Sequence, residues 1–354
     1  MTSAARQVFD HAMSLEQSGD KEMALKAFLE ALELAPDDLE IAYKAATAML
    51  GAGLLDEAAS QLRRIVFSDP ANIPARASLG NCQYLQGDLE NAERNFLDVL
   101  EQDPDNQNAL YGIGSVYLQR GKANDAVEPA KRLLNLLPDS AAVLTLYADS
   151  RARDPQVSAA NAAYRKALHV SPDYPPALIG LAKLLIRSKH YAEASDLARR
   201  AASQQPANAE AFEVIGNAQL AADNLEPAKE AYFKALSLAP GRADLLLRLS
   251  IVHRKLNDNP SALLYAHQAM VQDPEDAPAG NALGAALAAL GHPKDAKAVL
   301  TSVARKTQLD SETAERIDAL CDDFAARIQS PVSSHPDLPS TPDGVMPEAP
   351  CGHS

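Results

Sequence analysis

The sequence predicts an all-α fold, an α-solenoid (superhelix) of antiparallel helix hairpins. Three ladders in a single phase predict it. Pro36, Pro70, Pro104, Pro138, Pro172, Pro206, Pro240 and Pro274 recur every 34 residues without insertion or deletion. Ala24, Ala58, Ala92, Ala126, Ala160, Ala194, Ala228, Ala262 and Ala296 keep the same period. A third ladder is small throughout: Ala12, Ala46, Gly80, Gly114, Ala148, Ala182, Gly216, Ser250 and Gly284. Self-similarity at one fixed period of this length is the mark of a stacked-repeat architecture. The frame it sets is 5–38, 39–72, 73–106, 107–140, 141–174, 175–208, 209–242, 243–276 and 277–310.

Each period reads as two helices, as 73–106 illustrates. Pro74 falls in the first turn of the first helix, where its missing N–H costs nothing. Leu79 and Gly80 set a large and a small residue side by side on the buried face. Gly87 ends that helix, because a left-handed residue is least strained as glycine. Ala92, Phe96 and Val99 then follow at i, i+4 and i+7, the apolar stripe of a second helix. Asp103 before Pro104 stops it, since a residue preceding proline is pushed out of the α region. The small positions are expected to let the paired helices approach, Gly80 or Ser250 meeting an alanine such as Ala92 or Ala262. One hairpin leaves its outer apolar face open, so neighbours must stack to cover it.

Composition agrees. The chain has 354 residues, 67 of them Ala, with 5% aromatic residues and no Trp. Closely packed helices produce such a core, because Ala has the highest helix propensity and leaves room for a neighbouring backbone. Lys and Arg number 33 against 47 Asp and Glu, a net charge of -14. That balance speaks against nucleic acid or an anionic membrane surface as partner, since both call for a positive face. Cys82, Cys321 and Cys351 are odd in number and far apart, which excludes a disulfide framework and fits a reducing, cytoplasmic compartment. The first ten residues lack the apolar run of a signal peptide, and no membrane insertion is expected.

The ladders together resemble the tetratricopeptide repeat, with its large residue and Gly in the first helix, Ala and an aromatic in the second, and Pro at the end. The resemblance covers residues 5–310, nine repeats, and implies a right-handed superhelix whose first helices line a concave face that holds peptides. The sequence departs from the family at several places. The signature Trp is replaced by Val8, Ala42, Arg76, Leu110, Leu144, Leu178, Phe212, Leu246 and Gly280, of which Arg76 and Gly280 fit worst. Between the helices, Gly19, Gly53, Gly87, Gly121 and Gly291 keep the family glycine, and Asp223 and Asn257 replace it with residues that also visit left-handed geometry. Pro155 cannot take a positive φ, so the turn in 141–174 is expected to differ. The ninth repeat ends in Gln308 rather than Pro. Beyond it, 311–329 reads as an amphipathic capping helix with Ile317, Leu320, Phe324 and Ile328 on one stripe. Residues 330–354 hold six Pro and no Lys or Arg, the composition of a disordered tail.

Charge is segregated along the chain: residues 5–106 carry a net -11, 107–208 a net +5 and 209–310 a net -2. The basic middle contains Arg151, Arg153, Arg165, Lys166, Lys183, Arg187, Lys189, Arg199 and Arg200. It is either a solvated surface or a docking face for an acidic peptide. The resemblance also nominates a partner-binding groove: Tyr43, Thr47, Asn81, Tyr84, Tyr111, Ser115, Lys183, Arg187, Asn217 and Arg248. Family asparagines at the positions of Asn81 and Asn217 often bond a peptide backbone, and an amide donates and accepts at once. The tyrosines suit an interface. The family's carboxylate clamp and its continuous asparagine ladder are both missing.

No catalytic constellation emerges. The eight His do not pair with Cys, Asp or Glu at metal-ligand spacing. Gly112-Ile113-Gly114 lies inside a predicted helix and reads as packing rather than a dinucleotide loop. Acid pairs such as Asp37-Asp38 and Asp322-Asp323 are assigned to helix ends. The expectation is therefore a non-catalytic scaffold with no cofactor and no metal, which holds a protein or peptide partner and helps assemble a complex. The alternative is a targeting or regulatory subunit for a glycosyl-, sulfo- or methyltransferase acting on a bound polypeptide.

Overall fold

A computed structural model describes residues 3–154 and 157–329. Among these the chain forms nineteen helices and no strand. It divides into two compact units at Pro240 and Gly241. The first holds seven hairpins: α1 (Ser3–Ser18) with α2 (Lys21–Leu34), α3 (Leu39–Gly51) with α4 (Leu55–Ser68), and α5 (Ile73–Leu85) with α6 (Leu89–Gln102). It continues with α7 (Gln107–Gln119) and α8 (Ala123–Leu136), α9 (Ala141–Arg151) and α10 (Ser158–Val170), and α11 (Pro175–Arg187) and α12 (Tyr191–Gln204). Its last pair is α13 (Ala209–Ala221) and α14 (Leu225–Leu238). The second unit contains α15 (Ala243–Lys255) with α16 (Asn259–Gln272), α17 (Ala277–Ala289) with α18 (Pro293–Arg305), and α19 (Ser311–Gln329). Pro155, Cys351 and the 330–354 tail lie outside the described residues.

The expected turns form. Gly19, Gly53, Gly87, Gly121 and Gly291 all take positive φ, and Asp223 and Asn257 do so at 62°. Lys189, at the same repeat position, is also left-handed at φ 63°. Polar side chains start many of the helices. Asp38 accepts from the Glu40 and Ile41 N–H groups, and Asn72, Asp88, Asn106 and Asn208 cap α5, α6, α7 and α13 in the same way. Each bond satisfies an N–H that has no partner inside its helix. The last repeat closes differently, as its missing proline implied: Lys306 caps α18 in the left-handed region, φ 53°. Asp322 and Asp323 correct an expectation, for they lie inside α19 rather than at its end, and Asp323 pairs with Arg327 at 2.7 Å.

At Gly80 and Gly216 the nearest neighbour of the small ladder is an aromatic ring of the second helix, whereas Gly114 faces Leu146 and Gly284 faces Leu300. A Cβ on Gly80 would stand 2.8 Å from Phe96 Cε1, and one on Gly112, in the next repeat, would overlap the same ring. Phe96 is fully buried between these two glycines. Tyr232 lies against Gly216 in the same manner, and Tyr164 against Gly180. Gly112 is therefore a packing residue, as its place in α7 implied. The Ser250 expectation does hold, its hydroxyl donating to the Ala262 carbonyl at 2.8 Å.

Both poor fits to the signature have local explanations. Arg76 bridges to Asp98 at 2.6 Å and donates to the Pro70 carbonyl at 3.1 Å, tying α5 to α6 through charge where the family uses a ring. Gly280 leaves the space that Val303 fills from α18. In the second unit α19 packs on α16 and α18. Ile317 and Cys321 join Leu263, Leu287 and Val299 in one core cluster, while Leu320 and Phe324 pack against it. His267 bonds Asp318 at 2.8 Å and Arg316 bonds Asp295 at 2.8 Å, fixing the register of α19.

Candidate functional site

In the first unit α3, α5, α7, α9, α11 and α13 pack on one another in succession, each also pairing with its own second helix. These first helices form an inner layer, and nine of the ten predicted groove residues lie on it. Arg248 is the exception: it sits on α15 of the second unit, with its Nε buried and unpartnered.

The groove residues differ in what they have left to offer. Thr47 donates to the Lys44 carbonyl and Ser115 to the Tyr111 carbonyl, both at 2.9 Å, so both hydroxyls turn back on their own helix. The Tyr43 hydroxyl lies 3.5 Å from Ser78 Oγ. Lys183 is paired with Glu210 at 2.5 Å, and Arg187 donates to the Ala152 carbonyl. Asn217 accepts the Tyr232 hydroxyl at 2.8 Å, which commits its oxygen to the fold. Asn81 is half-buried and makes no side-chain hydrogen bond among the described residues, so its whole amide is available.

The basic middle is paired at close range. Arg151 meets Asp154 at 2.9 Å, Arg165 meets Glu193 at 2.9 Å and Lys166 meets Asp139 at 3.2 Å. Arg199 meets Asp196 at 3.1 Å and Arg200 meets Asp173 at 3.0 Å. Exposed pairs of this kind are worth little energetically, and their carboxylates are already counted in the net +5 of residues 107–208.

Tyr84 and Tyr111 border a cavity of about 300 Å³ that draws on four successive repeats. Tyr84 comes from α5, Tyr111 and Ser115 from α7, Thr145, Leu146 and Asp149 from α9, and Tyr174 and Pro176 from the start of α11. Asp149 accepts a hydrogen bond from the Tyr164 hydroxyl. Burial pushes its carboxyl up to about 6, against the opposing pull of that bond and of Lys183. Tyr111 is pushed up to about 12, first by burial and then by Tyr174, Asp149 and Tyr84 beside it. Sequence reasoning missed Asp149 and Tyr174. The signal for Asp149 was its place 34 residues after Ser115 and 34 before Lys183, in the register that already held Thr47, Asn81 and Asn217.

Burial pushes the Cys82 thiol up to about 11 and the Cys321 thiol up to about 12, so neither supplies thiolate near neutrality. No group of three or more His, Cys, Asp or Glu among the described residues is placed to hold a metal. None of the described helices is long and apolar enough to cross a membrane.

Tetratricopeptide repeat profiles match residues 9–73, 83–149 and 155–218, more than half of the chain. The chain belongs to the tetratricopeptide repeat family. It is 27% identical over 280 residues to protein CTR9 homolog of Arabidopsis thaliana, a match covering 75% of this chain and 25% of that protein. It is 27% identical over 187 residues to protein O-mannosyl-transferase TMTC3 of Homo sapiens, covering 52% and 18%. It is 28% identical over 155 residues to anaphase-promoting complex subunit 7 of Mus musculus, covering 44% and 27%. The chain thus spans about a quarter or less of the length of these relatives. The crystal structure of the APC/C hetero-tetramer Cut9-Hcn1 has a chain of the same fold, with a TM-score of 0.66 at 16% identity, covering 79% of this chain and 55% of that one.

Proposed function

We propose that this protein is a non-catalytic scaffold whose inner helix layer in the first unit holds a segment of a protein partner and brings it into a multiprotein complex. The half-buried, unbonded Asn81 amide carries the reading, because an amide left unpaired beside a line of tyrosines suits an incoming peptide backbone. The likeness to a subunit of the anaphase-promoting complex points the same way. A second reading, a targeting subunit for a transferase, is favoured by the likeness to part of protein O-mannosyl-transferase TMTC3.

A photo-crosslinking residue placed at Asn81, and separately at exposed Leu97 on α6, tests the scaffold in cells. A discrete protein adduct from position 81 and none from position 97 is expected. Adducts from position 97 alone would place the partner on another face, and a transferase identified in the position-81 adduct would establish the second reading. Asn217→Ala is a poor probe, since it strips the Tyr232 hydroxyl of its acceptor.

A further inference from the structure

We infer that the tyrosine-lined cavity around Asp149 is a receptor for one cationic side chain, lysine or arginine, of the segment held in the groove. The inference rests on the groove reading and names the partner chemistry that reading leaves open. Tyr84, Tyr111 and Tyr174 converge on this cavity from three repeats, and Asp149 is the only charged residue in its lining. Aromatic faces attract a cation through the ring quadrupole, and the attraction grows as water is excluded. A carboxylate at the same spot adds a charge-assisted acceptor.

The partners already present leave that acceptor free. One Asp149 oxygen takes the Tyr164 hydroxyl. The other has no protein partner among the described residues and is not sealed from solvent. The Ser115 and Thr145 hydroxyls are spent on the Tyr111 and Ala141 carbonyls. Lys183, whose charge acts on Asp149, is held by Glu210 at 2.5 Å and does not line the cavity. Burial makes the ionised carboxyl costly in the empty cavity, and an ammonium or guanidinium group entering beside it would offset that cost. An acidic side chain would meet the same carboxylate with the opposite result. The cavity, at about 300 Å³, has room for a long basic side chain.

The test uses the full chain with tyrosine rings carbon-13 labelled, so that the ring signals of Tyr84, Tyr111 and Tyr174 report on the cavity. The probe is acetyl-Gly-Gly-Lys-Gly-Gly-amide, and the controls carry norleucine or glutamate in place of lysine. Saturable shifts of these rings are expected with the lysine peptide, at a Kd on the order of millimolar, with the norleucine and glutamate peptides roughly tenfold weaker or silent. Asp149→Asn, whose amide oxygen still accepts from Tyr164, is expected to weaken the lysine peptide to the level of norleucine. Tyr111→Leu, at a residue 40% exposed, is expected to weaken it as well and serves as the test should Asp149→Asn fail to fold. Equal binding of lysine and norleucine, tighter binding of glutamate, absence of ring shifts, or a lysine affinity indifferent to both variants would each overturn the inference. The titration requires no partner, so its failure leaves the crosslinking at Asn81 standing, and failure of the crosslinking leaves the titration interpretable.

Discussion

Asp149 is the residue at which burial and function compete. Its carboxyl is held near 6 in the fold against an ordinary value of 3.8. Between those two values the folded chain therefore binds more protons than the unfolded chain, so this group makes stability fall as pH rises through that window. The groups facing it are Tyr164, Tyr111, Tyr174 and Tyr84, neutral throughout the window, and the Lys183–Glu210 pair. Asp149→Asn removes the proton linkage while retaining an acceptor for Tyr164. At pH 7 the variant is expected to be more stable than the wild type by about 1–3 kcal/mol, with the gap shrinking as pH is lowered toward 4. Urea midpoints for both proteins at pH 4, 5, 6 and 7 check this, and a gap that stays constant across the series contradicts it. Arg76 shows the converse solution, a partly buried charge bonded to Asp98 and to a backbone carbonyl. Burying a charge costs less where hydrogen-bond partners come with it.

At the scale of the hairpin, the close contact in 73–106 and in 209–242 joins a glycine of the first helix to a ring of the second. Gly80 has Phe96 where its Cβ would go, and Gly112 has the same ring where its own would go. Gly80→Leu must push Phe96 against Gly112, and with it the next repeat. The expected loss is roughly 1–3 kcal/mol, read as a lowered melting temperature in far-ultraviolet circular dichroism; wild-type melting would refute the contact. Much of the hairpin was legible in the sequence, because proline, the left-handed glycines and the small ladder each express a local rule. Gly80's partner was not, since the ladder shows that a small residue is required without showing which neighbour requires it. Lys189 was equally hidden: a lysine does not announce a positive φ, and only the period reveals that it occupies the turn of Gly121 and Asp223. The cavity was hidden for a larger reason. Tyr84, Tyr111 and Asp149 with Tyr174 belong to three successive repeats, and no motif within one repeat encodes their convergence. Asn217 misled in the opposite direction, because Tyr232, fifteen residues later, already uses its oxygen.

Across the first unit every helix packs mainly on its nearest neighbours in sequence, from α1 through to α14. Its stability is then a chain of local terms, and a defect should be felt close to where it is made. Gly216→Leu provides the test, since a Cβ there already stands 2.6 Å from Tyr232 Cε1. Such a clash cannot be relieved without moving α14 against α13, and α11 and α12 pack directly on α13. Hydrogen exchange should therefore accelerate in α12, α13 and α14 and, more weakly, in α11. Amides in α2, α3 and α4 share no contact with these helices and should keep their wild-type protection, because opening one end of a nearest-neighbour array leaves the interfaces at the other end intact. Exchange that quickens equally from α2 to α14 would instead mean that the unit opens as a single cooperative block, with long-range coupling that its contacts do not explain. The result also bears on function. If opening is local, the four repeats that build the Asp149 cavity can keep their register while the α13–α14 hairpin yields, and the cavity's ring signals should be unchanged in Gly216→Leu.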